Sequence, residues 1–132
     1  NPQRKNPRYP QIRLDHITAP PVAIVNNGKN IVRTVLENYG FRVVDLGRDV
    51  PAERVVEAVR QYGAKIVGLS ALMTTTVPSM EKTIARLHEN GLHVPVIVGG
   101  AVLTPDYAKK IGADYYAKDA KQSADIAKSI LG

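Results

Sequence analysis

Five times along this chain a short apolar run is followed by a stretch whose apolar residues recur every three or four positions, usually with a glycine or proline at the joins. Such alternation builds strand–helix units, which lie down as an open parallel sheet with helices on both faces. KIVGLSA (65–71) is almost wholly apolar, as a strand covered on both sides must be. FRVVDL (41–46), HVPVIVGG (93–100) and ADYYA (113–117) read as further strands. RLDHITA (13–19) is expected as the first, with 20–27, which contains the apolar extended run PVAIV, as a connection.

The helices announce themselves by stripe and punctuation. Ile31, Val32, Val35, Leu36 and Tyr39 share one helical face, closed by Gly40. Pro51 opens a second helix with Val55, Val56, Val59 and Tyr62 inward, stopped by Gly63. A third is expected from Pro78 to Glu89, with Met80, Ile84 and Leu87 inward and Gly91 beyond its end. Thr104 caps a short fourth helix that has Pro105 and Asp106 in its first turn. Lys118 or Asp119 leads into a last helix carrying Ala120, Ala124, Ala127, Ile130 and Leu131.

A length of 132 residues suits one domain with a real core. With no cysteine there is no disulfide framework and no thiolate chemistry; a reducing, cytoplasmic setting is expected. No apolar run approaches the ~18 residues that a spanning helix needs, so no membrane partner is expected. The net charge of +6 is uneven: Arg4, Lys5, Arg8 and Arg13 precede the first acid, Asp15, leaving 14 basic against 12 acidic residues. The excess sits largely in a Pro-containing lead-in. We therefore expect residues 1–12 to be an arm or linker and 13–132 the folded unit. Trp is absent and Phe41 is the only phenylalanine, which leaves few stacking platforms for a nucleic acid; no such partner is expected.

An open parallel sheet binds ligands at the carboxyl ends of its strands, so the loops at 20–30, 46–51, 70–77, 99–104 and 117–120 matter most. Gly28–Lys29 is not a phosphate loop, because Asn30 stands where that motif needs a hydroxyl and no glycine lies five residues before Gly28. Ser70 lacks a nucleophile elbow, since Leu72 replaces its last glycine. A phospho-acceptor Asp is missing after the third strand, where Ser70 and Ala71 stand. His16, His88 and His93 make no metal cluster by spacing. What remains is small and weakly polar: Ser70, Thr74, Thr75 and Thr76 past one strand, Gly99 and Gly100 past the next. Paired glycines can simply make a tight turn. Beside so many hydroxyls they also suggest a slot for a ring with polar edges.

GKNIV, VVDLGRDVPAERVVEAV, IVGLSALMTTT, VIVGGAVLT and ADYYAKDA, in that order, resemble the cobalamin (B12)-binding domain of methionine synthase and of corrinoid methyltransferase shuttle proteins. The resemblance spans about residues 13–132. It implies a flavodoxin-like (Rossmann-like) three-layer α/β sandwich with a five-stranded parallel sheet of order 2-1-3-4-5. It implies a cobalamin or related corrinoid cofactor, whose nucleotide tail enters between the third and fourth loops. By this resemblance Ser70 hydrogen-bonds the buried base, with Leu72, Thr74 and Thr75 nearby. Gly99, Gly100 and Ala101 line the tail, and Tyr116 and Asp119 belong to the segment closing the far side.

Gly28 matches the glycine of the family motif D-x-H-x-x-G. Counting back without a gap, Val25 takes the place of the cobalt-ligating histidine and Ala23 that of its supporting acid. The resemblance therefore implies a corrinoid-binding methyl carrier lacking the lower-ligand histidine, with no catalytic residue of its own. Methyl-donor and methyl-acceptor methyltransferase domains or subunits are the implied partners, with a helical cap supplied elsewhere. The alternative is a non-catalytic regulatory or scaffold module that keeps the fold and binds corrinoid weakly or not at all.

Overall fold

The computed structural model describes residues 20–25, 31–48, 50–71, 77–100 and 102–131. Strands β1 (Pro21–Val25), β2 (Arg42–Asp45), β3 (Ile66–Ser70), β4 (Val96–Gly99) and β5 (Tyr115–Ala117) alternate with helices α1 (Ile31–Asn38), α2 (Ala52–Tyr62), α3 (Val77–Glu89), α4 (Pro105–Lys110) and α5 (Ala120–Leu131). All pairings are parallel, in the order β2-β1-β3-β4-β5. This is the flavodoxin-like architecture and strand order that the resemblance implied.

The first strand differs from the reading of the sequence. Residues 13–19, His16 among them, lie outside the described residues, whereas the sheet takes Pro21–Val25 as β1. Two prolines made this stretch read as a connection, but neither is asked to donate. The Pro20 carbonyl accepts the Arg42 N–H at 3.3 Å and the Pro21 carbonyl accepts that of Lys65 at 2.8 Å. Proline is tolerated at the first residue of a strand for this reason.

Alternation along the central strands divides the core in two. Ala23, Val67, Leu69, Val96 and Val98 face α2, α3 and α4. Val22, Ile24, Ile66, Ile97 and Ala117 face α1 and α5. Ile24 and Ile66 are 1% and 0% exposed, and each such burial stabilises by roughly 1.5–3 kcal/mol. The helix ends depart from the expected stripes: Ile31 is 60% exposed and Tyr62 is 38% exposed. They are the first residue of α1 and the last of α2.

Candidate cofactor site

The face carrying α1 and α5 is arranged in layers. At the carboxyl end of the strands Ser70, Gly99 and Ala117 stand side by side in register. One step down come Ile24, Gly68 and Ile97, and below them Val22 and Ile66. Helix α5 passes over these rows with Ser123 in its first turn and Ala127 a turn further on. Helix α1 presents Val32 and then Leu36. Between sheet and helices lies a narrow crevice lined by these residues, Ala117 excepted, and by Leu69. Its volume is about 20 Å³, room for about one water molecule, so a ring can enter only if a wall moves.

Small residues make this crevice possible. A Cβ on Gly68 would stand 3.3 Å from Cγ2 of Ile24, so an added side chain there would take up crevice space. Gly68 did not stand out in the sequence, although a glycine inside an apolar strand often marks a close approach. Ser123, also unremarked there, had no motif to flag it. Ser70 is half-buried at the crevice. Its hydroxyl makes no hydrogen bond within the described residues.

Other expected site residues have different duties. Gly99 does line the crevice, but a Cβ there would come within 2.7 Å of the Ala117 carbonyl oxygen. Gly100 has φ +132 and a Cβ would fall 1.8 Å from the Ala71 carbonyl oxygen, so this glycine is required by backbone packing. Tyr116 faces away from the crevice, packs with the α2–α4 core and donates its hydroxyl to the Leu103 carbonyl at 3.3 Å. Asp119 caps α5: its carboxylate accepts the Gln122 N–H at 2.8 Å, while the Gln122 side chain accepts the Lys118 N–H at 2.6 Å. Gly28, Leu72, Thr74, Thr75 and Ala101 lie outside the described residues.

The gap-free count to D-x-H falls on β1. Ala23 sits inside β1, paired with Val44 and Val67 and 0% exposed. Val25 ends the strand opposite Leu69 and packs on the α2–α3 side. Both belong to the sheet, on the face opposite the crevice. Only residues 26–30 separate β1 from α1, and they contain neither acid nor histidine.

One polar clasp joins the helices over the crevice. The Tyr39 hydroxyl, just past α1, donates to Asp125 of α5 at 2.7 Å, and Lys121 approaches the same carboxylate at 3.2 Å. The bond from Tyr39, then that from Lys121, holds the Asp125 carboxyl below its ordinary range. The same contact raises the Tyr39 phenol, and Asp125 raises Lys121.

Among the described residues no group of three or more potential ligands could hold a metal ion, and no helix is long and apolar enough to cross a membrane. Comparison with known proteins is decisive about ancestry. A family described as B12 binding domain matches residues 17–125. Dimethylamine corrinoid protein 1 of Methanosarcina acetivorans is 48% identical over 106 residues, which is 79% of this chain and 50% of that protein. A cobalamin-binding protein from Desulfitobacterium hafniense superposes with TM-score 0.82 at 32% identity, over 87% of this chain and 60% of the other. The methanol:cobalamin methyltransferase complex of Methanosarcina barkeri contains a chain matched with TM-score 0.78 at 36% identity, over 84% of this chain and 45% of that one. The chain spans about half the length of the curated relatives it matches. With the family matched over most of its length and the layered crevice on the face of its sheet, the chain belongs to the B12-binding domain family.

Proposed function

We propose that this chain is the corrinoid-binding carrier part of a cobalamin-dependent methyltransferase system, and that it gives cobalt no histidine from the segment after β1. The observation that carries the reading is the crevice beside Ser70, Gly68 and Gly99 in a chain of this family. When bound, the corrinoid would supply a cobalt centre able to accept and pass on a methyl group. The protein's part is to hold and shield. Ser70 offers a hydroxyl to a ring edge, and the glycines leave room for a flat group. Val22, Ile24 and Leu36 would exclude water from it, as apolar linings do in small-molecule sites.

No described side chain is placed to act as a methyl nucleophile. Methyl-donor and methyl-acceptor methyltransferase domains or subunits are the proposed partners, with a helical cap from outside this sequence. A regulatory or scaffold module is the second reading, and the narrowness of the crevice favours it. Incubation with hydroxocobalamin, removal of free ligand and measurement of retained cobalt distinguishes the two. The carrier reading expects about one corrinoid per chain, and a Ser70→Ala change should weaken binding by about 1–3 kcal/mol. Loss of all corrinoid on gel filtration would favour the scaffold.

A further inference from the structure

We propose that the crevice is graded from a polar mouth to an apolar floor, that Ser123 is a binding residue of the mouth, and that the gradient selects tail rings whose polar atoms lie on one edge. The proposal rests on the reading of the crevice as a corrinoid-tail site.

The strand registers set the depth scale. Ser70 lies in the row at the carboxyl end; every crevice side chain in the rows below it is aliphatic, apart from Gly68. Helix α5 repeats the order, because Ser123 belongs to its first turn and Ala127 follows four residues later, about 6 Å along the axis. The two hydroxyls therefore come from opposite walls at the same end.

Ser123 is also unspent. A helical Ser or Thr commonly turns its hydroxyl back to the carbonyl four residues earlier. Thr83 does so, donating to the Ser79 carbonyl at 2.8 Å. Ser123 gives its backbone N–H to the Asp119 carbonyl at 3.1 Å, while its hydroxyl makes no hydrogen bond within the described residues and lines the crevice. Each hydroxyl can donate or accept, so the pair can grip a heteroatom edge from two sides. Nothing at the floor can do the same, because Val22, Ile66, Leu36 and Ala127 carry no polar side-chain atom. A ring with an amino group on its far edge would bury that group without a partner, a loss that converts to about tenfold or more in affinity. Widening the crevice by a shift of α1 leaves this order intact, since Ser70, Ser123 and Ala127 sit on other elements.

The test is a set of binding titrations with three probes: cobalamin, whose dimethylbenzimidazole has an apolar far edge; the adenine-tailed cobamide, whose far edge carries an amino group; and cobinamide, which has no nucleotide tail. Cobalamin should bind about tenfold or more tighter than the adenine-tailed form. S123A should weaken cobalamin about three- to tenfold and leave cobinamide unchanged. A127S, which sets a hydroxyl one turn deeper, should narrow the preference between the two tails. Equal or tighter binding of the adenine-tailed form would overturn the gradient. So would an unchanged preference in A127S, or a loss in S123A that falls equally on cobinamide. Cobinamide binding as tightly as cobalamin would show that the tail is not read, overturning this inference and leaving corrinoid binding intact. Retention of none of the three would sink the corrinoid reading itself.

Discussion

Glycines that look alike in sequence answer to different constraints. Gly100 is held by its backbone: φ +132 and the Ala71 carbonyl oxygen, 1.8 Å from a built Cβ, leave no place for a side chain. Gly100→Ala should cost about 2–4 kcal/mol in urea unfolding, among the larger single-residue effects, so changes there cannot probe a ligand slot cleanly. Gly68 can. Its added Cβ meets the Ile24 side chain, with Cγ2 at 3.3 Å and Cβ at 4.0 Å, and no backbone, so Gly68→Ala should cost at most about 1–3 kcal/mol while weakening cobalamin binding. Unaltered affinity in a folded Gly68→Ala protein would remove Gly68 from the site. The same scale decides the histidine question. A23D/V25H, which a gap-free motif count recommends, would put a carboxylate into a 0% exposed strand position and should cost about 3–5 kcal/mol without creating a cobalt ligand.

Elements were legible where local chemistry is emphatic. Thr104 caps α4 as its sequence suggests, accepting the Tyr107 N–H at 3.2 Å, and Gly63 ends α2 in the left-handed region at φ 64. β1 was missed because Pro21, and Pro20 just before it, act as acceptors there, a role visible only once neighbouring strands are in place. The site was half legible: Ser70 and Gly99 line the crevice, but Tyr116 came in through the family resemblance, and the alternation of a strand sends it to the other face. Ser123 and Ala127 enter the site through packing of α5 over the sheet. The weakest wall is α1, eight residues long with only Leu36 fully buried, and such elements open at low free energy. Its amides should exchange faster than those of β3, and cobalamin should slow them.

The clasp from Tyr39 to Asp125 adds a pH signature to this element. Asp125, shifted down, contributes above the ordinary carboxylate pKa of about 3.9 and stops contributing as pH falls through its lowered value. Tyr39 and Lys121, shifted up, contribute fully below about pH 10 and lose that contribution as pH rises through their raised values. The gap in thermal midpoint between the wild type and Tyr39→Phe should therefore be level from about pH 5 to 9 and shrink at both extremes. A gap that changes through neutrality would point to another titrating group.

At the scale of the molecule, the fold supplies two core layers and a crevice between sheet and helices; under the proposed carrier reading the chemistry of methyl donor and acceptor belongs to other domains. We propose that residues 1–12 stand outside this unit, since their composition is poor in core formers; deleting them should leave the thermal midpoint nearly unchanged, and a large drop would move the boundary. The central claim is that corrinoid binds with its tail in the crevice and with no protein nitrogen on cobalt. Electron paramagnetic resonance of the Co(II) corrinoid bound to the protein tests both halves at once. A tail held in the crevice would be kept away from cobalt, and residues 26–30, which follow β1, contain no histidine, so the cobalt lines should show no nitrogen superhyperfine splitting. Triplet splitting of those lines, from the tail base or from a histidine, would contradict the account.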